Sequence, residues 1–184
     1  MVRGFKSRSE KISARYRANL KISLEEALPV RELASMLDVI IWAPSDVHGL
    51  TPKHIKQLTN IGRDEWSAVT IEEGASKLII INPTHSEARL ANDIAHELAH
   101  LILNHEKSHL EISESGELWL KAYETDQEEE ADWLAASLLL PRDGLLPVYK
   151  RLRDVSKVAK VFGVSKDLAQ MRINRTGIKK QLSF

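Results

Sequence analysis

The fold is decided by the stretch NDIAHELAHLILNH at residues 92–105. Its many apolar residues predict a buried helix. His96 and His100 are four residues apart, so a helix places both imidazoles on one face, about one turn apart. Two neutral imidazoles in this arrangement suit a zinc ion. Glu97 follows His96 and can reach the water that such an ion activates, so the stretch indicates a metallopeptidase site with Glu97 as the catalytic base.

The His-Glu-x-x-His pattern is specific in a chain of this composition. With 7 His and 17 Glu in 184 residues, chance would produce the pattern only ~0.02 times per chain. The alternative is a pair of hydrogen-bonded, inert histidines on a half-buried helix. The apolar surroundings favour a metal, because buried His and Glu side chains need partners that offset their desolvation. We therefore predict one Zn²⁺ per chain.

Length and composition limit the other classes of protein. A chain of 184 residues suits one domain, or one domain with a small appendage. Its 26 basic and 26 acidic residues balance, so net charge indicates no partner. The absence of Cys excludes disulfides and thiolate zinc sites, and leaves His, Glu and Asp as ligands. Because no apolar run has the length of a signal peptide or membrane span, we expect a cytoplasmic protein with no membrane partner.

The third ligand is expected from a second helix, which begins at Asp126, contains the acidic run 128–130 and is stopped by Pro141. Its apolar stripe, extended back by one turn, places Glu128 on the inward side. Asp132 lies one turn later and suits a hydrogen-bonded partner of a ligand histidine. The alternative is that the consecutive glutamates only favour the helix N-terminus electrostatically. Glu130 stays open as the ligand in place of Glu128.

His105 and Tyr123 are further candidates for the site. His105 follows His100 by five residues, whereas a third histidine ligand of the metzincin type follows by six, after a Gly. We therefore expect His105 to make a cap or polar contact near the helix end, with a contact to substrate as the alternative. Either His105 or Tyr123 is a candidate for stabilising the oxyanion of the reaction.

The remaining pattern predicts a mostly helical α+β fold with a small sheet. Thr84 and Glu87 have the spacing of a capping box at the start of the metal helix. Ile79, Ile80 and Ile81 form a strand that either borders the cleft as an exposed edge or lies in the interior of the sheet. The other expected elements are a basic helix at 9–21, a helix from Pro29, a strand at 39–42, a helix from Pro52 to near Gly62, and a hairpin of 66–71 with 77–81.

Three segments are expected along the chain. They are a basic N-terminal helix at 1–28, a metallopeptidase domain at 29–145, and a basic helical hairpin at 146–184 packed on or appended to that domain. The segment from Val158 to Asn174 has the pattern of a helix-turn-helix, and residues 150–180 hold ten bases against two acids. Contact with nucleic acid is therefore an alternative, but packing in the core or docking of a repressor is favoured.

The sequence resembles the ImmA/IrrE family of zinc metallopeptidases. The matching elements, in the order of the family, are KLIIIN at 77–82, Arg89, HELAHLILNH at 96–105, EEEADWLAASLLLP at 128–141 and VAKVFGVSKDLAQMRINRTG at 158–177. The resemblance implies a zincin-like domain with a gluzincin site. His96, His100 and Glu128 would bind zinc, and Glu97 would be the general base. Leu134 stands where the family usually has Phe, which changes packing and not chemistry.

The resemblance also implies a substrate. Members of the family cleave a DNA-binding repressor of the helix-turn-helix type at a specific site, which releases transcription in a phage, mobile-element or stress operon. The competing class is a non-proteolytic regulator that binds a repressor or DNA through the C-terminal segment. The presence of all four site residues favours the enzyme.

Overall fold

The structure, a computed structural model, describes residues 1–74, 76–105, 110–112, 118–120 and 125–182. It is a mostly helical α+β fold, as predicted. The α-helices are α1 (Phe5–Asn19), α2 (Val30–Met36), α3 (Pro52–Lys56), α4 (Glu87–Leu103), α5 (Thr125–Leu139), α6 (Arg142–Leu152), α7 (Val155–Phe162), α8 (Lys166–Thr176) and α9 (Ile178–Gln181); a 3-10 helix spans Pro44–Asp46 and a π-helix spans Gln57–Ile61. The strands are β1 (Val39–Trp42), β2 (Ala68–Glu73), β3 (Ser76–Ile81), β4 (Leu110–Ile112) and β5 (Leu118–Leu120).

The larger sheet has the strand order β1-β3-β2, with β1 parallel and β2 antiparallel to β3. The hypothesis that the strand of Ile79, Ile80 and Ile81 is an exposed edge is wrong, because β3 has a neighbour on each side. Ile79 and Ile81 are buried, and α4 packs on this part of the sheet. Three consecutive isoleucines are typical of an interior strand, which has no side that faces water.

Of the two strands that α4 contacts, β2 is the one at an edge of the sheet. Asn82 N–H donates to the carbonyl of Ser67 at 2.8 Å, directly before the first paired residues of β2 and β3. Bonded and non-bonded pairs alternate along an antiparallel ladder. The backbone groups of Ala68 and Thr70 therefore point away from β3, and no strand pairs with that side of β2 within the described ranges.

The start of α4 differs from the prediction. The capping box of Thr84 and Glu87 is wrong, because the N-cap is Ser86, whose hydroxyl accepts from the backbone N–H of Arg89 at 3.4 Å. Thr84 belongs instead to a turn in which the Asn82 side-chain oxygen accepts from its backbone N–H at 3.2 Å and its hydroxyl at 2.7 Å. Because the buried Asn82 side chain binds the N–H and hydroxyl of Thr84 in this turn, the Thr84 hydroxyl is not used to cap the helix.

The C-terminal end of α5 is bound by a buried arginine of α1. The last carbonyls of a helix have no partner inside the helix. Arg17 donates to Leu138 O at 3.2 and 2.9 Å and to Leu139 O at 3.1 Å. It also donates to Ser23 O and Glu26 O, each at 2.9 Å. Burial lowers the pKa of Arg17 to about 10 against the opposing charge of Glu26, so the guanidinium stays charged at neutral pH.

A second buried arginine, from α8, completes this end of α5. Arg172 donates through Nε to Leu140 O at 3.0 Å and through Nη2 to the Ser137 hydroxyl at 2.9 Å. Its Nη2 also forms an ion pair with Glu10 of α1. Ser13 of α1 donates its hydroxyl to Ser137 O at 2.7 Å. Two of the basic residues predicted for the terminal segments thus hold the helix that carries Glu128.

The hydrophobic core joins all three predicted segments. It includes Phe5 of α1, Leu98 of α4, Leu138 of α5 and Ile173 of α8. The boundaries proposed at residues 28 and 145 stay a prediction. Among the described residues, no helix combines the length and the apolar character that crossing a membrane requires.

We predict that Arg17→Met lowers the free energy of unfolding by roughly 3 kcal/mol or more, because it leaves buried carbonyls without a donor. Arg15→Met, at an exposed position of the same helix, is the matched control and should stay within about 0.5 kcal/mol of the wild type. Urea unfolding followed by circular dichroism measures both. Equal effects of the two variants would contradict the capping role.

Candidate metal centre

The centre lies where α4 packs against α5. Ala95 and Ala99 of α4 and Ala131 and Ala135 of α5 are all buried, and the two helices contact each other. Side chains this small let two helix backbones approach closely. The side chains one turn along each helix can therefore meet across the interface.

His96 and His100 of α4 meet Glu128 of α5. Their Nε2 atoms are 3.1 Å apart, and the Glu128 oxygens lie 3.3 Å from His96 Nε2 and 3.6 Å from His100 Nε2. Two ligand atoms of a tetrahedral zinc at roughly 2.0–2.1 Å are expected about 3.3 Å apart. These three are the group of His, Asp and Glu side chains in the described chain whose ligand atoms could share one ion, and their spacing fits zinc.

Asp132 lies behind His96. Its Oδ1 is 3.0 Å from His96 Nδ1, so the bond orients the ring with Nε2 towards His100 and Glu128. Burial acts to lower the pKa of His96, but the hydrogen bond and charge of Asp132, together with the charges of Glu97 and Glu128, outweigh it and raise the pKa. The same hydrogen bond lowers the pKa of Asp132. The contact agrees with the predicted partner of a ligand histidine, a role that stays a prediction.

His100 is held neutral. Its side chain is 2% exposed, and burial, with the charges of His96 and His105, lowers its pKa to about 3. A neutral imidazole keeps the lone pair that a metal requires. The two candidate ligands thus have opposite pKa shifts, although both come from one helix.

Glu97 lies beside the three candidate ligands and is not part of their group. Its carboxylate accepts a hydrogen bond from the Thr70 hydroxyl of β2. Burial raises the pKa of Glu97, against the hydrogen bond from Thr70 and the charge of His96, which both lower it. A carboxylate with a raised pKa, held next to a metal position, suits proton transfer.

Thr70 was missed by the sequence analysis. Nothing near residue 70 indicates a site, because its contact with Glu97 depends on the register of β2 with β3 and on the packing of α4 against the sheet. The signal that the sequence does contain is weaker: a hydroxyl residue lies in a predicted strand of a hairpin next to the metal helix.

His105 and Glu130 lie behind His100. His105 Nδ1 is 3.0 Å from His100 Nδ1, on the opposite side of that ring from the metal position. Its own Nε2 is 3.7 Å from a Glu130 oxygen, and the two side chains are 6% and 17% exposed. This placement agrees with the expected polar contact near the helix end and favours a role through His100 over the alternative contact with substrate or oxyanion. Glu130 is outside the candidate ligand group, and Tyr123 lies outside the described residues.

Comparison with known proteins identifies a family. The model of a peptidase family, described as the IrrE N-terminal-like domain, matches residues 55–174. A search of curated proteins finds no match for the chain. The matched range includes α4, α5 and the strand that carries Thr70, and it covers more than half of the chain. The chain therefore belongs to the family of IrrE N-terminal-like peptidases.

Proposed function

We propose that the protein is a zinc metallo-endopeptidase. The observation that carries the proposal is the convergence of His96 Nε2, His100 Nε2 and the Glu128 carboxylate at zinc-like separations, with Glu97 beside them. His96, His100 and Glu128 would hold one Zn²⁺ and leave a fourth position open. Neutral His and one carboxylate are ligands that zinc prefers, and an open position is typical of its catalytic sites.

In this proposal, Glu97 and Thr70 have separate roles in the reaction. When bound, zinc lowers the pKa of water and polarises the carbonyl of the scissile peptide bond. Glu97 takes the proton of the attacking water and delivers it to the leaving amine. The Thr70 hydroxyl orients the Glu97 carboxylate and favours its charged, proton-accepting form.

The edge of β2 suits an extended substrate. The outward backbone groups of Ala68 and Thr70 can pair with a peptide strand, as in other cases where a peptide extends a sheet. A peptide on this edge would pass Glu97, because Thr70 touches that side chain. The proposed substrate is a DNA-binding repressor of the helix-turn-helix type, whose cleavage would relieve repression.

The competing function is a regulator that binds a repressor or DNA without cleaving it. Its supposed surface is the helical pair α7 and α8, joined through Gly163, in which Lys157, Lys160 and Lys166 are exposed. Arg172 of α8 is buried against α5 and is therefore not available to phosphates. The two functions differ in what they require of Glu97.

We predict that the wild type binds one zinc per chain and that His96→Ala, His100→Ala and Glu128→Gln each lose it, because each removes one of three ligands. Zinc content after equilibration with saturating zinc and gel filtration measures this. Glu130→Gln and the matched surface control Glu129→Gln should retain one zinc per chain. If Glu130→Gln lost the metal and Glu128→Gln kept it, Glu130 would be the ligand; retention in both His variants would exclude the site.

We predict that Glu97→Gln folds, keeps zinc and binds the repressor encoded beside its gene, while cleavage falls by roughly 10²–10⁴-fold. Glutamine has the size of glutamate but cannot accept the proton. Zinc content, repressor affinity and cleavage rate are measured on one preparation. A wild type that binds the repressor without cutting it would support the regulator, and unchanged cleavage by Glu97→Gln would exclude this base.

We predict that Thr70→Val moves the acid limb of the pH profile of kcat/KM to higher pH. The Thr70 hydroxyl lowers the pKa of Glu97, so its loss raises that pKa, and the base becomes protonated at a higher pH. Valine is β-branched like threonine and preserves the strand. At pH values well above the acid limb, cleavage should be less affected than at pH values below it. An unmoved limb, or one moved to lower pH, would show that Thr70 does not lower the pKa of Glu97.

A further inference from the structure

His100 can bind a metal through Nε2 only in one tautomer. Its Nε2 faces His96 Nε2 and Glu128, so this nitrogen must carry the lone pair. The proton of the neutral ring then resides on Nδ1 and needs an acceptor. His105 Nδ1 lies 3.0 Å from that atom. The reverse arrangement, with His105 as donor, would protonate His100 at Nε2 and prevent it from binding metal.

The end of α4 places His105 at this position. Asn104 adopts the left-handed conformation, with φ of 54°, and reverses the chain directly after the helix. His105 N–H donates to the His100 carbonyl at 3.1 Å. The spacing of five residues, which does not suit a third ligand, thus places the ring of His105 next to the Nδ1 side of the His100 ring. Asn tolerates this conformation better than most residues.

Glu130 lies on the other side of His105. When His105 Nδ1 accepts, its own proton is on Nε2, a buried atom with no hydrogen-bond partner among the described residues. Glu130 Oε2 lies 3.7 Å from it, while Glu130 Oε1 accepts from the backbone N–H of Val2 at 3.2 Å. A negative charge at this place favours the tautomer of His105 with its proton on Nε2.

We propose that His105, supported by Glu130, is a positioning residue that holds His100 in its metal-binding tautomer. His105 would orient His100 as Asp132 orients His96, except that the acceptor is a neutral ring and not a carboxylate. The inference rests on the proposed function, since it concerns the same metal. Outer partners of ligand histidines contribute to metal affinity because they fix both tautomer and ring orientation.

Substitution of His105 by Asn or by Gln distinguishes the loss of the hydrogen-bond acceptor from the loss of the volume of the ring. In His105→Asn, Oδ1 takes the place of Nδ1 and can still accept from His100, but the side chain does not reach Glu130. In His105→Gln, the amide lies near the place of Nε2 and no longer presents an acceptor at the Nδ1 position that faces His100. His105→Leu removes both contacts. His85→Leu is the matched control, because His85 is equally buried, with 5% of its side chain exposed, and pairs with Asp93, which is not one of the candidate ligands.

Zinc affinity is measured by competition with a chromophoric chelator, and thermal unfolding of the zinc-free variants is measured beside it. We expect affinity to fall about 10–100-fold in His105→Leu and His105→Gln, to stay near the wild type in His105→Asn, and to fall less in Glu130→Gln than in His105→Leu. His85→Leu should lose stability and keep its zinc affinity. If His105→Leu fails to fold, the comparison of the Asn and Gln variants decides.

Two results would overturn the inference and leave the proposed function intact. One is wild-type zinc affinity in both His105→Leu and His105→Gln. The other is an equal loss in the Asn and Gln variants, which would mean that the ring only fills space. A wild type without zinc affinity would instead contradict the proposed function, and this inference with it.

Discussion

The rest of the structure depends on the hydrogen bonds that Arg17 donates to the last carbonyls of α5. A buried helix end without partners is unfavourable, because each bare carbonyl loses its water without replacement. Arg17 from α1 and Arg172 from α8 supply these partners, so both ends of the chain are attached to one helix. The same helix carries Glu128 and Asp132 at its other end. The anchoring of α5 therefore determines whether these carboxylates reach the histidines of α4.

The candidate metal centre balances opposite electrostatic effects within a few ångströms. His96 has a raised pKa beside Asp132, whereas burial keeps His100 neutral. Without metal, the pair can hold a proton on His96 while His100 keeps its lone pair. A metal bound by the candidate ligands would have to displace such a proton, which would couple its affinity to pH. Asp132 favours a charged ring and also orients it for an ion, which makes the proton and the metal competitors for one side chain.

The sheet connects the strand edge to the chemistry. Because β3 is interior, the side of β2 that faces away from it is the edge next to α4. Thr70 lies on that strand, with its hydroxyl on Glu97 and its backbone groups directed outward. One residue therefore touches the proposed base through its side chain and directs its backbone groups to the side of β2 where the proposed substrate would pair. Burial of Glu97 depends on this contact between helix and sheet.

The sequence by itself determined the elements that rest on local patterns. The spacing of His96 and His100 follows from helix periodicity, and the buried stripe of α5 indicated that Glu128 faces inward. These were predictable because a helix relates neighbours at fixed spacing. Tertiary structure decided what joins distant parts of the chain: the register that brings Thr70 to Glu97, and the interior place of β3. It also decided the position of His105, which depends on the left-handed turn before it and on its contact with the ring of His100. Such contacts leave no periodic trace in the sequence.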